Sequence, residues 1–314
     1  MEYITLGRTG LRVSVMGLGC GGLSCLGQST GKSEDESINL VRKALDFGIN
    51  FIDTAETYRT ERIVGNALKG LRREDVVLST KAPMYRDNKL ITADDLVQAA
   101  ENSLRKLNTD YLDIYHFHAV EEKEYQYVAE ELVPIQLRLR DEGKIRFLGI
   151  TERFMADPTH MMLKRAIQDD CWDVVCVGFN LLNQTARTEV LTTTIQKNIG
   201  VLGMYAVRRA LSNIENLKIA FSMLAQTGVV DGTIVEDDHP LGFLFHEKGA
   251  VSLTDAAYRY CSHEPGIHVV LFSTGSMEHL QANVTSLLSP PLPHEDLIKI
   301  KELFGKVNHF SGHW

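Results

Sequence analysis

Short runs of apolar and β-branched residues alternate with segments whose apolar positions recur at helical spacing, along nearly the whole chain. This alternation predicts repeated strand and helix units rather than separate all-helical and all-strand domains. The strand-like runs are Val13–Leu18, Asn50–Asp53, Val76–Lys81, Leu112–His118, Arg146–Thr151, Val174–Gly178, Val201–Tyr205 and His268–Phe272. Eight such units in 314 residues predict a single α/β domain over residues 1–314, a (β/α)8 TIM barrel.

Several helical segments carry recognisable start signals. In a capping box, a Ser or Thr and an acidic residue three positions later bond to free N–H groups of the first turn. Proline is also favoured at the first helical position. The predicted starts are Ser33-x-x-Glu36, Thr92-x-x-Asp95, Asp157-Pro158, Ser212-x-x-Glu215 and Ser252-x-x-Asp255.

Three segments lie outside the repeat. Residues 3–6 and 11–13 flank a glycine-containing turn and predict an N-terminal β-hairpin that caps the lower mouth of the barrel. A long connection from Val207 to Ala250 and a tail from Pro290 to Trp314 exceed ordinary loop lengths. We expect both to lie at the C-terminal face, where barrels carry their active sites.

Composition narrows the classes of partner. The formal net charge is -8, which disfavours nucleic acid and anionic membranes, since both require clustered Lys and Arg. The N-terminal residues lack a signal-peptide pattern and no apolar stretch is long enough to span a membrane, so we expect a cytoplasmic protein. The five cysteines match neither a zinc nor a thioredoxin motif, and we expect reduced thiols. These observations favour a small-molecule partner; nothing in the sequence predicts an oligomeric interface.

Four polar residues follow the carboxyl ends of three successive predicted strands. They are Asp53, Tyr58, Lys81 and His118. Taken singly, each has an ordinary explanation: Asp53 as a turn cap, Tyr58 as rim packing, Lys81 as a solvated cation and His118 as a core histidine. Together they occupy one rim of the barrel, which is where catalytic residues of this fold lie.

Reduction of a carbonyl requires a proton donor for the developing alkoxide, and a free Tyr hydroxyl is a weak acid. A neighbouring Lys ammonium favours the tyrosinate and so lowers the Tyr pKa. Asp53 could hold the ammonium of Lys81, and a neutral His118 could donate a hydrogen bond to the substrate oxygen. The four residue types therefore suit proton transfer to a carbonyl by Tyr58.

The motifs around these residues resemble the aldo-keto reductase family over nearly the whole chain. The segments that carry the resemblance are Phe51-Ile52-Asp53-Thr54-Ala55-Glu56-Thr57-Tyr58, Asp110-Tyr111-Leu112-Asp113 before His118, and Gly143-Lys144-Ile145-Arg146 with Gly149. The resemblance implies a β/α barrel that transfers hydride between a nicotinamide cofactor and an aldehyde, ketone or sugar. It also implies that Asp53, Tyr58, Lys81 and His118 form the catalytic tetrad, with Asp53 near the cofactor as well.

A segment near the end of the chain is similar to the one with which this family binds the adenosine phosphates. It contains Thr274, Gly275, Ser276, His279 and Asn283. Ser276 is predicted to cap a helix whose N-terminal N–H groups face an anion. An ordinary capped helix explains this pattern equally well.

A second glycine-rich segment, Gly17–Gly22, superficially matches a dinucleotide-binding loop. Its last glycine is one position early and no helix follows, so it fails that pattern. We interpret it as a barrel-top loop in which the backbone of Gly21 approaches the nicotinamide.

The positions expected around the nicotinamide ring depart from the family pattern. They are Thr151-Glu152 in place of Ser-Asn, Cys176 in place of Gln, and Met204-Tyr205-Ala206-Val207-Arg208-Arg209 in place of an aromatic residue followed by Ser-Pro-Leu. We expect Thr151, Glu152 and Cys176 near the carboxamide, and either Met204 or Tyr205 to cover the ring.

These departures predict altered cofactor binding. Glu152 could accept a hydrogen bond from the carboxamide but adds a negative charge. Arg208 and Arg209 could pair with the pyrophosphate, or form a solvated basic pair. The family favours NADP(H) slightly over NAD(H), although Ser276 and Met277 supply no cation for a 2′-phosphate.

Two alternatives to the enzyme remain open. A nicotinamide-binding sensor or regulatory subunit with little turnover would also suit the altered ring contacts, whereas a non-redox barrel enzyme would bind no nicotinamide.

His116 and His118 point to the same face of one strand, but no third ligand has a matching spacing, so we predict no metal site.

Overall fold

The computed structural model describes residues 1–231 and 239–314. The chain begins with an antiparallel hairpin of β1 (Tyr3–Thr5) and β2 (Arg12–Ser14), joined by a 3-10 turn at Gly7–Thr9. The turn lies against the start of a barrel strand, since a Cβ on Gly7 would be 2.3 Å from the backbone nitrogen of Gly200. Glycine is therefore required at this contact.

Ten further strands follow the hairpin in chain order. They are β3 (Met16–Gly19), β4 (Phe51–Asp53), β5 (Val77–Pro83), β6 (Tyr85–Arg86), β7 (Lys89–Leu90), β8 (Leu112–Val120), β9 (Ile145–Glu152), β10 (Val174–Gly178), β11 (Gly200–Met204) and β12 (Val269–Phe272). Parallel pairing closes a barrel in the order β3-β4-β5-β8-β9-β10-β11-β12, with β12 returning to β3. The predicted eight-stranded TIM barrel is confirmed.

Helices surround this barrel. They are α1 (Glu34–Asp46), α2 (Glu61–Ala67), α3 (Ala93–Leu107), α4 (Tyr125–Tyr127), α5 (Val133–Asp141), α6 (Met161–Ala166), α7 (Thr192–Gln196), α8 (Ile214–Gln226), α9 (Leu253–Ser262), α10 (Met277–Leu287) and α11 (His294–Phe304). Among the described residues, no helix has both the length and the apolar character needed to cross a bilayer.

The barrel interior and the layer between strands and helices form two apolar clusters. The interior cluster includes Leu6 and Val13 of the hairpin together with Phe51, Val77 and Val174 of the strands. The hairpin therefore fills the N-terminal end of the barrel, as its position in the sequence predicts. Burial of these side chains stabilises the closed floor through the hydrophobic effect.

Some predicted boundaries are wrong. The run Val13–Leu18 contains parts of two elements, because β2 ends at Ser14 and β3 begins at Met16. The helix expected from Asp157 begins instead at Met161, since the Asp157 carboxylate accepts a hydrogen bond from the Met162 N–H and the intervening residues form a turn.

The other predicted helix starts agree more closely with the structure. The capping boxes at Ser33 and Thr92 are present, and Ser252 caps α9. In α8 the cap is Asn213 rather than Ser212, a shift of one residue. Side-chain oxygens at these positions satisfy first-turn N–H groups that have no partner within the helix.

The C-terminal tail folds back over the carboxyl ends of β10 and β11. The side-chain amide of Asn180 donates to the Ser311 carbonyl at 3.0 Å, and that of Asn183 donates to the Phe310 carbonyl at 3.0 Å. The Ala210 N–H donates to the Gly312 carbonyl at 2.9 Å. The tail therefore lies beside the C-terminal face.

Within the connection from Val207 to Ala250, residues 232–238 lie outside the described part of the chain.

Candidate active site

The four predicted catalytic side chains converge at the carboxyl ends of neighbouring strands. Asp53 ends β4, Lys81 lies in β5, His118 lies in β8, and Tyr58 ends the 3-10 turn Glu56–Tyr58 that follows β4. The Tyr58 ring lies directly against the loop after β3, because a Cβ on Gly21 would be 2.6–2.7 Å from three ring atoms. Only glycine allows this approach.

Lys81 and Asp53 form a buried ion pair. The Lys81 Nζ donates to Asp53 Oδ2 at 2.5 Å and to the Thr54 carbonyl at 2.8 Å, and the Ser79 hydroxyl donates to Asp53 Oδ1 at 2.8 Å. Burial alone would lower the pKa of Lys81, but the Asp53 carboxylate, together with Tyr58 and Cys176, outweighs burial and the pKa rises. Lys81 is therefore a fixed cation at neutral pH.

Tyr58 lies above this pair, with the Lys81 Nζ 5.3 Å from the centroid of its ring. Burial raises the pKa of Tyr58 to about 12, and the ammonium of Lys81 offsets only part of that rise. Lys81 thus acts in the expected direction, but burial dominates. At neutral pH the Tyr58 hydroxyl is protonated and can serve as an acid.

His118 completes the group. Its Nε2 lies 3.3 Å from the Tyr58 Oη, and its Nδ1 lies 3.3 Å from the Thr57 Oγ1. Burial and the nearby Lys81 lower the pKa of His118 to about 3, so the imidazole is neutral at physiological pH. A neutral ring can donate one hydrogen bond to a substrate oxygen.

These residues line one end of a cleft of about 940 Å³ at the C-terminal face. That size suits a cofactor together with a small substrate. The predicted cofactor-binding residues that also line the cleft are Gly21, Asp53, Thr151, Glu152, Cys176, Met204, Tyr205, Arg208, Thr274, Gly275, His279 and Asn283. Ser276 does not line the cleft, because its side chain caps α10 by accepting the His279 N–H.

Thr151 and Glu152 are the last two residues of β9. The Thr151 hydroxyl oxygen accepts the Ala119 N–H at 2.7 Å, and its own proton can donate to a further acceptor. Glu152 lines the cleft as well, and its side chain has no exposed surface. Contact between its carboxylate and the carboxamide stays a prediction.

The Glu152 carboxylate contacts His160, which no sequence motif singles out. His160 Nδ1 lies 2.9 Å from both carboxylate oxygens, and the Gly178 N–H donates to Oε1 at 2.8 Å. Burial raises the pKa of Glu152, while His160 and the Gly178 N–H oppose that rise by stabilising the carboxylate.

The second ring nitrogen of His160 faces a hydroxyl. His160 Nε2 lies 2.9 Å from the Thr185 Oγ1, which also lies 3.0 Å from the Pro158 carbonyl oxygen and 2.5 Å from the Asn183 Oδ1. Glu152, His160 and Thr185 therefore form one hydrogen-bonded chain. The effect of the Glu152 charge on cofactor binding stays a prediction.

The His160 ring supports the cleft wall. It stacks on Phe154 with centroids 5.3 Å apart, and Phe154 meets the edge of Tyr205 at 5.5 Å. A Cβ on Gly178 would lie 2.2 Å from Phe154, so glycine is needed beside this ring. No periodic pattern marks His160, which lies in the left-handed backbone region just before α6.

Arg208 reaches into the cleft, whereas Arg209 does not. The Arg208 guanidinium lies 4.5 Å from the centroid of Tyr205, and its buried Nε has no hydrogen-bond partner within the described chain. Arg209 instead donates to the Trp314 carbonyl at 3.1 Å and packs on the Trp314 ring. The predicted basic pair is therefore divided between the cleft and the tail.

Two features of the cleft fit the phosphates of a nicotinamide dinucleotide. The unpaired Nε of Arg208 offers a charged donor in the lining of the cleft. The N-terminus of α10, with His279 and Asn283 lining the cleft, adds backbone N–H groups and the positive end of a helix dipole. At the other end Cys176 and Met204 form an uncharged floor, because burial raises the pKa of the Cys176 thiol.

The second histidine of β8, His116, does not line the cleft. His116 is fully buried beside Gly149, whose Cβ would lie 2.2 Å from His116 Nδ1. Burial and Lys81 lower the pKa of His116 well below its ordinary value. In residues 1–231 and 239–314, no group of three or more His, Cys, Asp or Glu side chains could hold a metal ion.

Solved structures share this architecture. The chain superimposes on the aldo-keto reductase AKR11C1 of Bacillus halodurans, in its holo form, with a TM-score of 0.74 at 23% identity, covering 97% of this chain and 96% of that chain. An aldo/keto reductase of Klebsiella pneumoniae in complex with NADP and acetate gives a TM-score of 0.68 at 22% identity, covering 98% and 97%. At this level of identity the likeness concerns the fold.

Sequence relatives point to the same family. The chain is 37% identical over 157 residues to L-galactose dehydrogenase of Arabidopsis thaliana, a match that spans 48% of each protein. An uncharacterised oxidoreductase of Bacillus subtilis is 25% identical over 100% of this chain and 99% of its own length. The family model described as aldo/keto reductase matches residues 17–304. The chain therefore belongs to the aldo/keto reductase family.

Proposed function

We propose that this protein transfers hydride between a nicotinamide cofactor and a carbonyl or alcohol substrate, with Tyr58 as the general acid and base. Family membership makes it an NAD(P)(H)-linked oxidoreductase of small-molecule carbonyls. The observation that carries the finer proposal is the convergence of a protonated Tyr58, a neutral His118 and the Lys81–Asp53 pair at one end of a cleft.

The roles of the four residues follow from their charges. The bound nicotinamide supplies or accepts the hydride. In reduction, Tyr58 gives its proton to the carbonyl oxygen as negative charge develops there, and His118 Nε2 donates a hydrogen bond to the same oxygen. The ammonium of Lys81 stabilises the resulting tyrosinate, and Asp53 keeps the ammonium in place. Oxidation of an alcohol uses the same residues in reverse.

The cofactor would lie along the cleft from the tetrad to α10. Thr151 would donate its hydroxyl proton to the carboxamide oxygen, while Cys176, Met204 and Tyr205 would surround the ring. Arg208 would pair with the pyrophosphate. NADP(H) remains our slight preference on family grounds, but NAD(H) must be tested beside it because the first turn of α10 carries no Lys or Arg.

The test is the change in absorbance at 340 nm with NADPH or NADH and a panel of aldehydes and ketones. The panel includes L-galactose with the oxidised cofactors, because half of the chain matches a dehydrogenase of that sugar. Tyr58→Phe should abolish turnover and leave cofactor binding intact. Tyr115→Phe is the matched control, since Tyr115 is buried and outside the cleft.

A sensor with little turnover is the second candidate. Cys176 offers only an uncharged thiol, and the Glu152 carboxylate already bonds to His160 and the Gly178 N–H. Thr151 would then be the main hydrogen-bond donor to the carboxamide. Tight cofactor binding without turnover of any panel substrate would favour the sensor. Absence of cofactor binding would refute both proposals.

A further inference from the structure

The catalytic role proposed for His118 depends on which ring nitrogen carries its proton. A neutral imidazole has one N–H, and its position is set by the hydrogen bonds of the two nitrogens. Nε2 faces the Tyr58 hydroxyl at 3.3 Å at the inner end of the cleft. If the proton were on Nδ1, the bare Nε2 would accept the Tyr58 proton and remove it from the reaction.

Nδ1 has one hydrogen-bond neighbour in the described chain, the Thr57 hydroxyl. The Thr57 Oγ1 lies 3.3 Å from Nδ1, and no other protein acceptor for its proton is present among residues 1–231 and 239–314. A hydroxyl that donates to Nδ1 requires the ring proton to lie on Nε2. His118 Nε2 then donates, and the Tyr58 proton stays free for the substrate.

The backbone explains why these two hydroxyls act on one ring. Thr57 and Tyr58 are consecutive in the 3-10 turn after β4, and His118 comes from β8 to meet both of them. The Tyr58 and His118 rings meet edge to face, with centroids 5.3 Å apart at 86°. The imidazole is thus held between two neighbouring side chains of one turn, one on each nitrogen.

We propose that Thr57 is a positioning residue that fixes the Nε2–H tautomer of His118. This inference rests on the proposed function only in its consequence for the rate, because the tautomer itself is a property of the protein. Burial and the charge of Lys81 keep the ring neutral but do not choose between the nitrogens. The choice is left to the hydroxyl of Thr57.

The direct test is 15N NMR of histidine-labelled protein near pH 7.5, with the His118 signals assigned from a His118→Asn sample. Long-range correlations from the ring carbon protons distinguish a protonated from a bare nitrogen. Wild type and Thr57→Ser, which keeps the hydroxyl, should show the Nε2–H form. Thr57→Val, which has nearly the same shape but no hydroxyl, should show a substantial Nδ1–H population.

The kinetic expectation is a lower kcat in Thr57→Val, by about 3- to 10-fold, which is the worth of one neutral hydrogen bond. The cofactor Kd should not change, and Thr57→Ser should recover most of the rate. An unchanged Nε2–H spectrum in Thr57→Val overturns the inference. If wild type shows no turnover, the proposed function fails, while the NMR comparison still decides the role of Thr57.

Discussion

Replacing His118 by Asn should make the stability of the protein less sensitive to acid. The pKa of His118 falls from an ordinary 6.5 to about 3 in the folded protein, because the ring is buried and lies near Lys81. The unfolded chain therefore takes up a proton at His118 as the pH falls through 6.5, and the folded protein does not until about pH 3. Stability from this group is present above pH 6.5 and is lost progressively between these two values.

The size of the effect follows from the two pKa values. Between pH 7.5 and pH 5.0, protonation of His118 in the unfolded state alone should reduce the free energy of unfolding by about 2 kcal/mol. His116 acts in the same direction, since its pKa is also well below its ordinary value. That contribution remains in the variant and cancels in the comparison, so the difference between the two proteins isolates His118.

The assay is chemical denaturation of wild type and His118→Asn at pH 7.5, 6.0 and 5.0, followed by circular dichroism. Wild type should lose about 2 kcal/mol more than the variant over this range. An exposed histidine in the tail, His309, offers a matched control, and His309→Asn should follow wild type. Equal losses in wild type and His118→Asn would refute the claim that the folded protein keeps this ring neutral.

Two further predictions concern the cleft wall and the cofactor. Glu152→Leu should cost about 3–5 kcal/mol of unfolding free energy by chemical denaturation, because it leaves His160 buried without its partner. The double variant Glu152→Leu with His160→Leu should recover much of that loss, and strictly additive losses would contradict the pairing. Arg208→Ala should weaken cofactor binding about 10- to 100-fold by fluorescence titration, because it removes a charged hydrogen-bond donor. Arg209→Ala is the control, since its guanidinium lies outside the cleft, and an unchanged Kd in Arg208→Ala would remove Arg208 from the phosphate site.

The sequence predicts the candidate site best where the polar side chains lie at the ends of strands. Asp53, Lys81 and His118 each fall within or at the end of a short apolar run, so finding the strands also placed these side chains at one rim.

Other features depend on contacts between distant segments. His160 meets Glu152 only because the turn after Asp157 brings its ring behind β9. The pKa of Tyr58 depends on how deeply the ring is buried, and the sequence reveals only the neighbouring Lys81. The continuous apolar run over Val13–Leu18 hides the break between hairpin and barrel, because both elements bury the same kinds of side chain.

The closed floor of the barrel also determines from which side ligands and protons reach the site. The hairpin residues Leu6 and Val13 pack into the same interior cluster as the strands, and the Lys81 and Asp53 side chains are almost fully buried. Under the proposed function, cofactor, substrate and each proton that replenishes Tyr58 would therefore enter through the cleft at the C-terminal face. Where two molecules enter a cleft through the same opening, the one that binds deeper has to bind first and be released last.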